Sequence, residues 1–283
     1  MGLGGTDYGR FSRKAVFQRH KSGIEKGLLA VAIVLILLVA VLFVFCMRAE
    51  KVVAPASMPT LPTTTTTVPT TTTIATTTTK VTYDYTMKID MESVRAHHAQ
   101  KQDVVGWIYI EDTVVNYPVV QGTDNDFYIN HDWEGNSSHS GCIYEDFRGK
   151  IDTSQNTLFY GHNMANGSMF SAIKGYTDPE WGKAHRYFEV ASLDKRYLYE
   201  IVSVNIVNGE AGADFEYWNY LDMDRRAYLT FLQKIKETST VWYLDGTDMP
   251  EYGKNRMIAL QTCNSGADDG IRCVLFARCL GEY

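Results

Sequence analysis

Cysteine is scarce in this chain, five in 283 residues, too few for the disulfide lattice that holds small secreted domains together. Positive charge is scarce too, except at one end. Residues 1–26 carry six Lys or Arg against two acidic residues, a balance of +4. The formal charge of −6 therefore leaves −10 for everything after them. Such a field repels nucleic acid, so no nucleic-acid partner is expected for the main domain. There is no internal repeat. The acidic cluster "TDNDFY" (123–128) lacks the Gly and Glu of a calcium loop, so Asp124 and Asp126 read as turn formers, and no metal is expected. Charge is missing altogether from residues 27–47, "GLLAVAIVLILLVAVLFVFCM", a run long enough to cross a bilayer. A cleaved signal peptide would have a shorter apolar stretch and a small-residue cleavage site. This run ends instead in Phe45, Cys46, Met47 and Arg48, so an uncleaved single-pass anchor is expected. The basic residues before it place 1–26 in the cytoplasm and the rest outside the cell.

Beyond the anchor the chain turns low in complexity. Residues 48–82 contain "MPTLPTTTTTVPTTTTIATTTTK", with too little apolar surface to fold, and read as an extended, solvated stalk. Its "LPTTT" (61–65) is expected by chance in a Thr/Pro tract. The folded domain is expected over 83–283. Asp90 caps a short helix to Lys101 with Met91, Val94 and His98 near one face. After it comes a series of short β-rich runs: "VVGWIYI", "VVNYPVVQ", "GCIYEDF", "NTLFYGHN", "YFEVASL", "RYLYEIVSVNIV", "RMIALQTC" and "RCVLFARCL". "SLDKR" (192–196) reads as a hairpin turn. "MFSAIKGY" (169–176) is briefly helical. "MDRRAYLTFLQKIKE" (223–237) is a longer helix with Tyr228, Phe231, Leu232 and Ile235 on one face. The pattern predicts a mostly β fold, a closed barrel of seven to eight strands. It adds an N-terminal helix and a long helix inserted before the last two strands.

Reactive chemistry narrows to a few side chains. Cys142, Cys273 and Cys279 read as small packed hydrophobes. Cys273 and Cys279 share one strand six residues apart, about 20 Å at strand rise, too far to bridge. Cys263 differs, because it ends a strand and opens the polar loop "NSGADDG". A nucleophilic thiol there needs a proton acceptor. Of seven histidines, His97 and His98 read as a solvated helix face, and His131, His139 and His185 have no evident partner. His162 ends the strand of "NTLFYGH", so it and Cys263 are both strand-end residues that can meet at one rim of a barrel. Arg272, opening the next strand, projects toward the same rim.

In that order these segments resemble a known family. "TLFYGHNM", then "LQTC" about 100 residues later, then an Arg nine residues on within "RCVLFARCL", is similar to the sortases, membrane-anchored cysteine transpeptidases of Gram-positive bacteria. The resemblance covers Tyr83 to Leu280. "DVVGWIYI", "NYPVVQGTDNDFYI", "GCIYEDFR" and the long helix resemble the class B branch. Two positions depart from it: Ala259 stands where a Thr is usual, and Gln261 where many members carry a small residue. Cys142 occupies a position often filled by Ser or Ala. "SHSGC" (138–142) imitates the L,D-transpeptidase signature, but Ser140 intrudes and Tyr144 replaces the expected Arg.

The resemblance implies Cys263 as nucleophile, His162 as general acid/base and Arg272 as electrostatic stabiliser, with Thr262, Gln261 and Asn163 lining the substrate groove. It implies no cofactor. Its partners would be surface proteins with a C-terminal sorting signal, cleaved at a Thr-containing motif through a Cys thioester. The acyl group would pass to an amine of the cell wall. A pilin polymerase using a pilin Lys is one alternative reading, and a non-catalytic membrane-tethered binding module is another.

Overall fold

The computed structural model describes residues 83, 85–246, 248–265 and 269–283. The expected tail (1–26), anchor (27–47) and stalk (48–82) lie outside them. No helix among the described residues is long and apolar enough to cross a membrane.

Helix α1 (Met91–Gln100) starts at Asp90, whose carboxylate accepts from the Glu92 amide and satisfies one of the donors a helix start leaves open. Strands β1 (Val104–Tyr109), β2 (Asn116–Val120), β3 (Ile143–Glu145) and β4 (Asn156–Tyr160) come next. A 3₁₀ helix, Phe170–Thr177, and a short helix α2 (Pro179–Ala184) lead to the hairpin β5 (Tyr187–Ala191) and β6 (Arg196–Asn208). Its turn is the expected Ser192–Arg196 segment, where the Ser192 amide donates to the Lys195 carbonyl. Helix α3 (Arg225–Glu237) precedes β7 (Ser239–Trp242), β8 (Met257–Cys263) and β9 (Ile271–Glu282).

Eight strands close into a barrel in the order β5–β1–β2–β3–β4–β8–β9–β6, and β6 pairs back onto β5. Closure removes the exposed edges that an open sheet would present. Strand β7 extends the far part of β6 as a ninth strand. The long helix α3 precedes the last two strands as expected, with the short strand β7, which the sequence pattern does not pick out, between them. Four residues, only partly buried, carry too weak an alternation to register as a strand.

Period-two alternation divides the wall. From β8 and β9, Ile258, Leu260, Cys273, Leu275 and Ala277 enter the barrel interior with Ile143 and Phe159. Met257, Ala259, Val274 and Phe276 face outward, as does Leu158. Helix α3 covers that outer face with Tyr228, Phe231, Leu232 and Ile235, the four residues of its predicted stripe. The barrel wall thus has a buried outer face as well as an inner one. Behind it, a ladder of ion pairs ties β9 to β6: Arg278 meets Glu200 at 2.7 Å, and Arg186 holds the other Glu200 oxygen.

Glu145 breaks the apolar rule. It is 1% exposed, and its Oε1 has no hydrogen-bond partner. Burial, reinforced by the negative charges of Asp146 and Asp152, pushes its carboxyl up to about 8. In the unfolded chain it ionises near 4.3. Between those values the folded state holds a proton that the unfolded state has released, so stability falls as pH rises, by up to about 1.4 kcal/mol per unit. Glu145→Gln should therefore gain stability over the wild type on going from pH 5 to pH 8. Chemical denaturation at the two pH values checks this, and an equal difference at both would count against it.

Candidate active site

Three neighbouring strands assemble the site. β4 runs parallel to β8 with Tyr160 opposite Gln261, and the pairing continues through the Gly161 amide to the Gln261 carbonyl at 3.1 Å. Two more residues in that register set His162 beside Cys263. On the other side Cys263 is the antiparallel partner of Arg272. Adjacent strands lie about 4.8 Å apart, so the three side chains form one row across β4, β8 and β9. They belong to the outward-facing set of alternate residues, and all three line a cleft of about 340 Å³.

Two glycines make room for this row. A Cβ on Gly161 would overlap Ile143 and come within 2.8 Å of the Phe170 ring. One on Gly209 would overlap the stem of Arg272. His162 is held at both ends: its carbonyl accepts from the Phe170 amide at 3.0 Å, and its Nε2 lies 2.8 Å from the Ile129 carbonyl. A carbonyl only accepts, so Nε2 carries the hydrogen and Nδ1 is the nitrogen left to exchange one.

Thiol environments separate the cysteines. Burial pushes Cys142 up to about 12, with Asp132 adding to it, and Cys273 likewise to about 12. Cys279 is raised by burial as well. Thiolates are the reactive form, so these three are inert packing residues, as the sequence suggests. Cys263 is only half buried and opens onto the cleft.

All three residues expected to line the groove do line the cleft, each held in a different way. Gln261 faces the cleft, two residues before Cys263 on the same face, and accepts a hydrogen bond from the buried Tyr217 hydroxyl. Asn163 donates to the Cys263 carbonyl at 3.0 Å, clamping the end of β8. Thr262 alternates inward: it is 1% exposed and its hydroxyl is buried without a partner.

Several cleft residues carry no mark in the sequence. Tyr144 and Tyr160 stack at 5.1 Å in the cleft lining, and the Tyr160 hydroxyl donates to the fully buried Asp146 at 2.9 Å. Burial alone would raise the Asp146 carboxyl. Hydrogen bonds from Arg148, Tyr160 and Asn125 outweigh it and hold the carboxyl below its ordinary value. Period two from His162 points to Tyr160, but nothing local points to Ile129 or Asp146. His139 also lines the cleft, although it has no evident partner in the sequence. The reading of His97 and His98 as solvated is corrected. Both are half buried, with His97 packed against Trp107 and Trp133 and His98 Nδ1 2.7 Å from the Val104 carbonyl.

The sequence model of the sortase domain matches residues 108–279, a span that holds the whole row. The chain belongs to the sortase family. It is 34% identical to sortase B of Listeria monocytogenes over 168 residues, 59% of this chain and 65% of that protein. Against sortase B of Staphylococcus aureus it is 30% identical over 166 residues, 57% and 64% of the two chains. The chain thus spans just under two thirds of the curated relatives it matches. The structure of the Staphylococcus aureus sortase B–substrate complex superposes with a TM-score of 0.59 at 26% identity, covering 67% of this chain and 85% of that one. These matches mark a class B-like sortase, with the closed eight-stranded barrel of that fold.

Native alkylation distinguishes the thiols of this sortase. Iodoacetamide at pH 8 followed by peptide mapping should modify Cys263 and leave Cys142, Cys273 and Cys279 unmodified until the chain is denatured. Native labelling of Cys142 ahead of Cys263 would contradict the burial pattern.

Proposed function

We propose that the chain is a cysteine transpeptidase that cleaves a sorting peptide at a Thr-containing motif and passes the acyl group to a cell-wall amine. The observation that carries this reading is the row His162–Cys263–Arg272 across three paired strands, open to one cleft. The Cys263 thiolate attacks the Thr carbonyl carbon. The Arg272 guanidinium stabilises the oxyanion that forms, a role worth about 10²–10³ in rate for a well-placed donor. The C–N bond breaks as protonated His162 gives its Nδ1 proton to the departing amine, leaving a thioester on Cys263. An incoming amine then attacks the thioester carbonyl and loses its proton to His162. A new amide forms, and Cys263 leaves as the thiolate. Throughout, the Ile129 carbonyl holds the Nε2 hydrogen and so keeps the ring in one orientation.

The apolar run at 27–47 supports placing this reaction outside a membrane, with the chain as a single-pass protein whose first residues are cytoplasmic. The acidic balance after residue 26 suits a partner that presents an amine. The substrates on this reading are surface proteins with sorting signals, and the acceptor is a peptidoglycan precursor.

The full-length chain in detergent, incubated with a small library of sorting-type pentapeptides, should gain a mass matching acylated Cys263. Cys263→Ala should gain none. His162→Ala and Arg272→Ala should each slow adduct formation at least a hundredfold. No adduct with any peptide, from a chain whose Cys263 still alkylates, would defeat the proposal.

A further inference from the structure

We propose that Trp133, clamped against His97, is a positioning residue for His162. The inference rests on the reading of His162 as the proton-transfer group, and it concerns how that ring is aimed.

The ring's outer hydrogen bond comes from no barrel strand. Ile129, whose carbonyl meets His162 Nε2, lies in the long connection between β2 and β3. A loop carbonyl aims a side chain only if the loop is itself held on both sides of it. On the near side the anchor is Tyr128. It is 2% exposed, its hydroxyl donates to Asp103, and its carbonyl accepts from the Cys142 amide at 3.3 Å. On the far side the anchor is Trp133, which packs on the cluster formed by Val104, Val120, Tyr128, Cys142 and Tyr144.

Trp133 is capped from outside by His97. The two rings lie 4.9 Å apart, and His97 also meets Trp107 of β1 edge-on at 5.0 Å. The His97 ring is fixed in turn: Nδ1 is 2.8 Å from the Ser93 carbonyl, and α1 is seated on the barrel by Val94, 1% exposed. Trp107 is tied to β2 through Asn116 at 2.7 Å. Packed rings therefore run from the barrel wall through His97 to Trp133, which sits on the cluster holding Tyr128, and the next residue, Ile129, makes the hydrogen bond to His162. Neither His97 nor Trp133 lines the cleft, so neither touches a substrate there.

The test compares Trp133→Ala, Trp133→Phe and His97→Ala in the full-length chain by two readouts. The first is steady-state acyl transfer with the best peptide from the acylation assay. The second is the 15N and Nε2-proton signals of His162 in histidine-labelled protein. Trp133→Ala should lower kcat on the order of tenfold or more, since misplacing a reacting group by about 1 Å can cost a hundredfold, with KM changed less than threefold. Its His162 Nε2 proton should exchange faster with water. His97→Ala should show the same changes in smaller measure, and Trp133→Phe should recover most of the rate. Unchanged kcat and an unchanged His162 signal in Trp133→Ala would overturn the proposal. Were Trp133→Ala to unfold, the same null result in His97→Ala would overturn it, because that substitution removes the contact from the helix side. If the wild-type chain transfers no acyl group, the proposed function fails while the His162 signals still decide the positioning role.

Discussion

The parallel pairing of β4 with β8 is the constraint on which the site depends. Tyr160 opposite Gln261 fixes the register, and every later relation derives from it: His162 level with Cys263, the Gly161 backbone amide on the Gln261 carbonyl, and the Asn163 side-chain amide on the Cys263 carbonyl. A slip of one residue would turn Cys263 to the barrel interior and bring the inward-facing Thr262 out. The antiparallel partner β9 then adds Arg272 with no further adjustment. Register is secured by both buried faces at once. Interior residues of β8 pack in the barrel and its exterior residues pack under α3, so neither face tolerates exchange.

Much of this was legible in the sequence, and for identifiable reasons. Strand runs bounded by turn residues, the capped N-terminal helix and the four-residue stripe of α3 are local signals. Eight of the nine described strands fall on runs that the pattern picks out. Strand ends are local too, which is why Cys263, His162 and Arg272 can be singled out before any pairing is known. What escaped is the part decided between distant segments. β7 is short, half exposed and comes after a helix without a clear turn signal. His97 reads as solvated because its two indole neighbours lie 10 and 36 positions away in the sequence. The Ile129 carbonyl is a backbone group, so its identity as a partner of His162 leaves no trace in residue type. Helix α2, by contrast, carries an Asp-Pro-Glu start in which Asp178 caps Glu180, a legible signal in a stretch where the sequence pattern above picks out no element.

The polar interior is arranged around the site on different terms at different depths. Asp146 is buried yet satisfied by Arg148, Tyr160 and Asn125, so the tyrosine floor of the cleft stands on a fixed charge. One residue earlier on β3, Glu145 is buried with an unmet oxygen. A β-strand sends neighbours to opposite faces, so Glu145 is out of reach of the donors that hold Asp146. Three further cysteines sit in apolar packing with their thiols suppressed, leaving Cys263 as the described thiol that meets the cleft.

Chain order gives the β4–β8 pairing a temporal meaning. A parallel neighbour must be reached by a crossover, and roughly 100 residues separate the two strands that hold His162 and Cys263. Contacts of such long sequence separation form late, after loop-closure entropy has been overcome elsewhere. Cys263 and Arg272 also sit on β8 and β9, which come after every other barrel strand in chain order. A nascent chain that has not yet made those two strands holds the histidine and most of the barrel wall but no aligned thiol. Closure of the barrel is thus the event that completes the row, and a chain halted before it holds His162 without Cys263 and Arg272 beside it.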